Sequence, residues 1–149
     1  MPRAARGLVV APGTWHEWEG TYTVVEPVGA AVFQLFHEGS LWAFHILMSD
    51  RGAIYLNRRR PKAGEEKRIT LAENMVGKSL GIKVRANGKD YEVYRRTTPD
   101  APYELMANGS YTQARDNKIS FRWGMYVGSR KGQSVPKDAM LFVTGATVR

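Results

Sequence analysis

The chain has 149 residues, 22 Lys+Arg against 14 Asp+Glu for a formal net charge of +8, and no cysteine. That length suits one domain with a sizeable core and is short for two, and the missing cysteines exclude disulfides and thiolate metal sites. The excess positive charge points to a polyanionic partner, and the apolar run from Leu8 to Ala11 is too short for a signal-peptide core or a membrane span.

Residues 1–13 read as a poorly ordered arm. The run "WHEWEGTYTVV" then alternates, with Trp18, Gly20, Tyr22 and Val24 opposing Glu17, Glu19, Thr21 and Thr23, as in a strand with one buried face. Pro27 and Gly29 mark a turn. "AAVFQLFHEG" and "LWAFHILMSD" are aromatic-rich strands separated by Glu38-Gly39-Ser40, a hairpin loop, and the second is apolar on both faces, as a central strand would be. Asp50-Arg51-Gly52 turns the chain into "AIYLNRRR", and "EKRITLA" is a further short strand, followed by "ENMVGK" as a polar turn or single helical turn. Asn87-Gly88 lies between two alternating runs, the strongest local hairpin signal in the chain. "PDAPYELMANGS" reads as a proline-containing loop with a second Asn-Gly. The last two strands are "KISFRWGMYVG" and "AMLFVTGATV", joined by the basic loop "SRKGQSVPKD". No segment keeps a helical period over a helical length. Nine or ten strands joined by short turns predict an all-β protein, an antiparallel β-sandwich over residues 1–149.

Phosphate-binding glycine loops, Cys/His zinc spacings and nucleophile-elbow patterns are all missing, so no metal and no cofactor is expected. Three histidines occur, at 16, 37 and 45. His45 shares a strand face with Leu41, Ala43 and Leu47, where a polar ring is either satisfied by a buried partner or open to a ligand. Gln34 and His37 precede a turn; on a regular strand they face opposite ways, and a β-bulge would bring His37 round to Gln34. "YLNRRR" sets Tyr55, Asn57 and Arg59 on one face with Arg58 opposite, and clustered arginines suit bidentate binding of carboxylate or phosphate as well as a solvated strand end. Arg130 and Lys131 lie in an exposed loop that would meet a polyanion. In "FRWGMYVG", Phe121, Trp123, Met125 and Val127 form a core face. The other face carries Arg122, Gly124 and Tyr126, with glycine leaving room for a ligand to approach. A Tyr beside a cation has a lowered phenol pKa and passes protons more readily.

"FRWGMY", with "VFQLFH" and "WHEWEG" before it and "AMLFVTGATV" after it, resembles the concanavalin A-like jelly-roll polysaccharide lyases, which include the alginate, glucuronan and heparin lyase groups. In alginate lyases a late strand carries an aromatic, a basic residue, a Gly and then a Tyr two positions on, a spacing met by Phe121, Arg122, Gly124 and Tyr126. The family's Gln and His stand two residues apart; here Phe36 fills that slot and His37 follows. The family's Arg two residues before a Glu is replaced by Trp15 before Glu17. The resemblance implies a lyase acting on a uronate polymer such as alginate, glucuronan or a glycosaminoglycan. Such enzymes neutralise the substrate carboxylate, remove the proton at C5 and expel the glycosidic oxygen from C4. It implies Gln34 with an arginine (Arg58, Arg59 or Arg122) on the carboxylate, Tyr126 as acid or as both acid and base, and His37 or His45 as the other proton carrier. Asn57, Arg122 and Lys131 would contact substrate. The chain is shorter than such lyases, and pairing with a second copy, a homodimer, would cover the open edges left by absent strands.

Two other readings fit the same residues. A non-catalytic carbohydrate-binding domain on this fold keeps the aromatics and the basic groove. A nucleic-acid-binding β domain fits the charge, but most aromatics alternate into core positions instead of forming a stacking platform, so no nucleic acid is expected, and no membrane. The compartment is secreted or periplasmic if a leader is absent from this chain, and otherwise cytoplasmic.

Overall fold

The computed structural model describes residues 4–10, 13–27, 29–37, 41–111, 119–126 and 140–148. They form eleven strands: β1 (Ala4–Val10), β2 (His16–Glu26), β3 (Ala30–His37), β4 (Leu41–Met48), β5 (Ile54–Arg58), β6 (Arg68–Ala72), β7 (Ser79–Ala86), β8 (Asp90–Arg96), β9 (Glu104–Ser110), β10 (Ile119–Tyr126) and β11 (Met140–Val148). No helix occurs among the described residues. Two antiparallel sheets make the sandwich, a six-stranded one in the order β1-β10-β3-β4-β5-β6 and a five-stranded one in the order β11-β2-β7-β8-β9.

Alternation sets the layers. In β2 the residues Trp18, Gly20, Tyr22 and Val24 are buried, with residues of intermediate exposure between them, as the sequence pattern predicts. Trp18 packs its ring against Phe33 at 4.9 Å between centroids, and Phe33 lies 5.8 Å from Phe121, so one aromatic cluster ties β2 of one sheet to β3 and β10 of the other. Phe44, Ile46, Leu56, Ile82, Val84 and Val93 complete a core shared by both sheets.

Two local expectations are corrected, and a third, the polar turn at 73–78, is decided between its alternatives. Ala4–Val10 is not an arm but pairs with β10 along its whole length, because the backbone groups on that side of β10 need partners. Residues 104–110, expected as a loop, form β9 against β8. The Asn108-Gly109 pair inside it does not turn the chain. Gly109 is required by close approach: a Cβ there would lie 2.6 Å from the Tyr91 hydroxyl. Residues 73–78 form a turn and no helical turn, with Met75 buried beneath it. Asn87-Gly88 does make the β7–β8 hairpin, where Asn87 Oδ1 accepts hydrogen bonds from the backbone N–H groups of Lys89 (2.9 Å) and Asp90 (2.7 Å).

Candidate functional site

Four of the residues singled out in the sequence, Arg122, Gln34, His45 and Asn57, share one register on the outer face of the six-stranded sheet. In direct cross-strand register run Arg122 on β10, Gln34 on β3, His45 on β4, Asn57 on β5 and Arg68 on β6. Directly paired residues on antiparallel strands have Cα atoms about 4.5–5.5 Å apart and point the same way, so this is one polar row across five strands. Its neighbours in the chain, Phe121, Leu35, Phe44 and Leu56, are fully buried on the inner face.

Gln34 stands in the row between Arg122 and His45. It is only 6% exposed although it lies on the outer face, and its Oε1 has no hydrogen-bond partner among the described residues. A buried amide oxygen left uncommitted is uncommon and marks a place where a ligand would complete the bonding. His45 is positioned by its own strand. An extra residue, Ala43, sits between Phe44, which pairs with Leu35, and Trp42, which pairs with Phe36. That bulge turns Trp42 to the outer face, where its ring stacks on the His45 imidazole at 3.9 Å and 25°.

Bulges also set Tyr126. Between neighbouring pairs, β4 advances one residue (Ile46 to Leu47), β3 two (Phe33 to Ala31) and β10 three (Trp123 to Tyr126). Gly124, inside that step, has φ of 132°, a conformation open to glycine and strained for other residues. Tyr126 thereby enters the register row of Ala31, Leu47 and Tyr55. Glycine here serves the backbone.

Other expected residues are placed apart. Against β10, residues 34 to 37 pair regularly with 122 to 119, and the register shift between Leu35 and Phe36 is seen against β4, where Ala43 is the extra residue. The side chains of His37 and Tyr126 lie outside the described part of the structure, as does Lys131 altogether. Arg58 is corrected. It points between the sheets, 6% exposed, where Nε donates to the Tyr91 hydroxyl (2.9 Å), one terminal nitrogen to Glu66 O and the other to Asn108 O (both 2.7 Å). With each of its three nitrogens donating to β8, β9 or the loop before β6, Arg58 is a strut between sheets and stands apart from the Arg122–Gln34–His45 row. The Tyr91 phenol it meets has its pKa raised by burial, with the guanidinium opposing the rise. Arg59 follows β5, half-buried, and its backbone N–H donates to Ala43 O (3.1 Å) beside the Trp42 bulge.

Sequence reading missed Trp42 and Arg68. Trp42 reads as a core residue unless the bulge is known. Arg68 reads as an ordinary strand-end cation, yet its guanidinium lies 3.8 Å over the Tyr55 ring. No group of three or more His, Asp or Glu among the described residues is placed to hold a metal ion.

Known structures share this arrangement of sheets. The alginate lyase from Klebsiella pneumoniae superposes with a TM-score of 0.66 at 14% identity, over 92% of this chain and 60% of that one. Alginate lyase AlgAT5 from Polysaccharide Lyase family 7 gives 0.66 at 18% identity, over 99% and 62%. The fold is the jelly roll of the alginate lyases. Another of them, alginate lyase A1-II′ in complex with a GGMG substrate, matches at 0.65 and 11% identity, over 95% of this chain and 63% of that chain. This chain thus spans about six-tenths of the length of these three lyases. No family model and no curated protein matches the sequence.

Proposed function

We propose that the chain acts on an anionic, uronate-containing polysaccharide by β-elimination. The observation that carries this reading is the Arg122–Gln34–His45 row, centred on a buried amide with an uncommitted oxygen. Deprotonation next to an ionised carboxylate is too costly unless the carboxylate is neutralised as charge moves onto it. Arg122 and Gln34 are assigned to that carboxylate, where a cation and an amide N–H oppose the developing enolate. His45, one strand away and held by Trp42, takes the C5 proton on its imidazole nitrogen. The C5–H electron pair forms the C4–C5 double bond, the C4–O4 bond breaks, and Tyr126 gives its phenol proton to the leaving oxygen. Asn57 and Arg59 are assigned to hydroxyl and carboxylate groups of flanking sugars. The +8 net charge supports an acidic polymer.

A second reading has its own observation. Phe36 stands where the resembled lyases carry their His, which favours a carbohydrate-binding domain that grips the polymer without cleaving it. Incubation with alginate, glucuronan and heparin, followed by the ultraviolet absorbance of the unsaturated product, separates the two. The lyase reading expects absorbance to rise on one polymer and to vanish with Tyr126→Phe. Binding without product selects the second reading, and activity untouched by Tyr126→Phe refutes the assigned chemistry.

A further inference from the structure

The polar row does not stop at the residues assigned to chemistry. It runs on through Asn57 to Arg68 on β6, the edge strand of the sheet. Arg68 is exposed and makes no ion pair among the described residues. Its guanidinium carbon lies 3.8 Å from the centroid of the Tyr55 ring on β5, a cation–π contact that seats the planar fork on the aromatic surface. The nearest acidic residues in the chain are Glu65 and Glu66. Glu65 Oε1 accepts from the Lys62 backbone N–H (2.8 Å), and Glu66 is exposed in the same loop.

We propose that Arg68, seated on Tyr55, is a distal carboxylate-binding subsite that grips a uronate of the same polymer well away from the reacting sugar. This rests on the uronate reading above. Four strand spacings separate Arg122 from Arg68, about 19 Å at ~4.8 Å each. An extended 1,4-linked sugar chain advances by about one strand spacing per residue, roughly 5 Å. A chain crossing the strands along the row therefore brings the carboxylate of a sugar about four units from the one at Arg122 onto Arg68. A planar fork held against a ring is pre-organised for a carboxylate, and less side-chain entropy is lost on binding than for a free arginine. The subsite predicts length dependence, because only long chains reach it.

The test compares wild type, Arg68→Gln and Arg68→Lys for binding to alginate polymer and to an alginate trisaccharide, with neutral dextran as control. Arg68 is exposed, so the variants keep the fold. Arg68→Gln is expected to weaken polymer binding about fivefold and leave trisaccharide binding unchanged, as for loss of one partly screened charge contact. Arg68→Lys is expected to recover part of the loss, since it restores the charge without the planar fork. Equal polymer binding by wild type and Arg68→Gln, or an equal loss for the trisaccharide, overturns the subsite while the uronate reading stands. Failure of wild type to bind alginate, glucuronan or heparin overturns both.

Discussion

The two outer faces of the sandwich are built from the same kinds of residue and use them in opposite ways. On the five-stranded sheet the charges neutralise one another. Arg85 meets Glu92 at 2.8 Å and Glu17 at 3.6 Å, and Arg96 lies 3.9 Å from Glu19. Cations also cover aromatic rings there: Arg85 over Trp15, Lys83 over Tyr94 and Tyr103, and Arg96 over Tyr103. On the six-stranded sheet, the row Arg122, Gln34, His45, Asn57 and Arg68 holds two arginines and no carboxylate. The neighbouring row, Tyr126, Ala31, Leu47, Tyr55 and Thr70, holds none either. A face whose ions are matched internally has little left for a ligand, whereas a row whose own positions carry cations and no carboxylate presents a field that suits an anion.

Substitutions on the two faces should therefore behave differently. The largest effect is expected from Gln34→Leu, which keeps the volume and removes the amide: kcat/KM on a cleaved uronate polymer should fall by about 100-fold. Thermal stability should hold or rise, because an uncommitted buried polar group is lost. A fall in both would make Gln34 a packing residue and break the contrast. Next comes the inner face, where Arg58→Ala leaves the Tyr91 hydroxyl, Glu66 O and Asn108 O without their donor. A loss of about 3 kcal/mol in urea unfolding is expected, with polymer binding by the folded fraction unchanged.

Gly109→Ala should cost about 1–3 kcal/mol, since the added methyl meets the Tyr91 ring and hydroxyl that Arg58 holds in place. Relief of that cost by Tyr91→Leu in the same chain would confirm the source. The smallest mutational effect belongs to the matched face: Arg85→Gln should change stability by less than about 1 kcal/mol and leave polymer binding alone. Weakened polymer binding in that variant would move the site to the other sheet.

The pH response sharpens the account of the core. Burial raises the Tyr22 phenol pKa well above its ordinary value, and its hydroxyl donates to Val32 O at 2.6 Å. The unfolded chain releases that proton near pH ~10 and the folded chain does so only at higher pH, so stability falls as pH rises beyond about 10. Urea midpoints measured below and above that pH should differ less in Tyr22→Phe than in wild type.

Much of this was legible in the sequence because alternation is a local property. Trp18 and Tyr22 against Glu17 and Glu19, and Phe121 against Arg122, show their faces through period two alone. The antiparallel sandwich was legible on the same grounds, while the jelly roll came from the resemblance carried by "FRWGMY" and its flanking strands. What stayed hidden depends on pairing between distant strands. The bulge at Ala43 that brings Trp42 to His45 cannot be seen without β3 alongside. Arg58 and Arg59 are neighbours in sequence, yet one is a buried strut because Tyr91 and Asn108 come from the other sheet. The second Asn-Gly misled because the same dipeptide serves turns and close packing, and only the Tyr91 ring above Gly109 distinguishes them.

The central claim is that the outer face of the six-stranded sheet, and not that of the five-stranded one, receives an acidic polysaccharide. Amide chemical shifts of Tyr126→Phe titrated with alginate oligosaccharides test it directly, since this variant is expected to bind without turnover. The account predicts saturable shifts at Gln34, His45, Asn57 and Arg122, with Lys83, Arg85 and Arg96 unmoved. Shifts confined to Lys83, Arg85 and Arg96, or none on either sheet with any of the three uronate polymers, would contradict it.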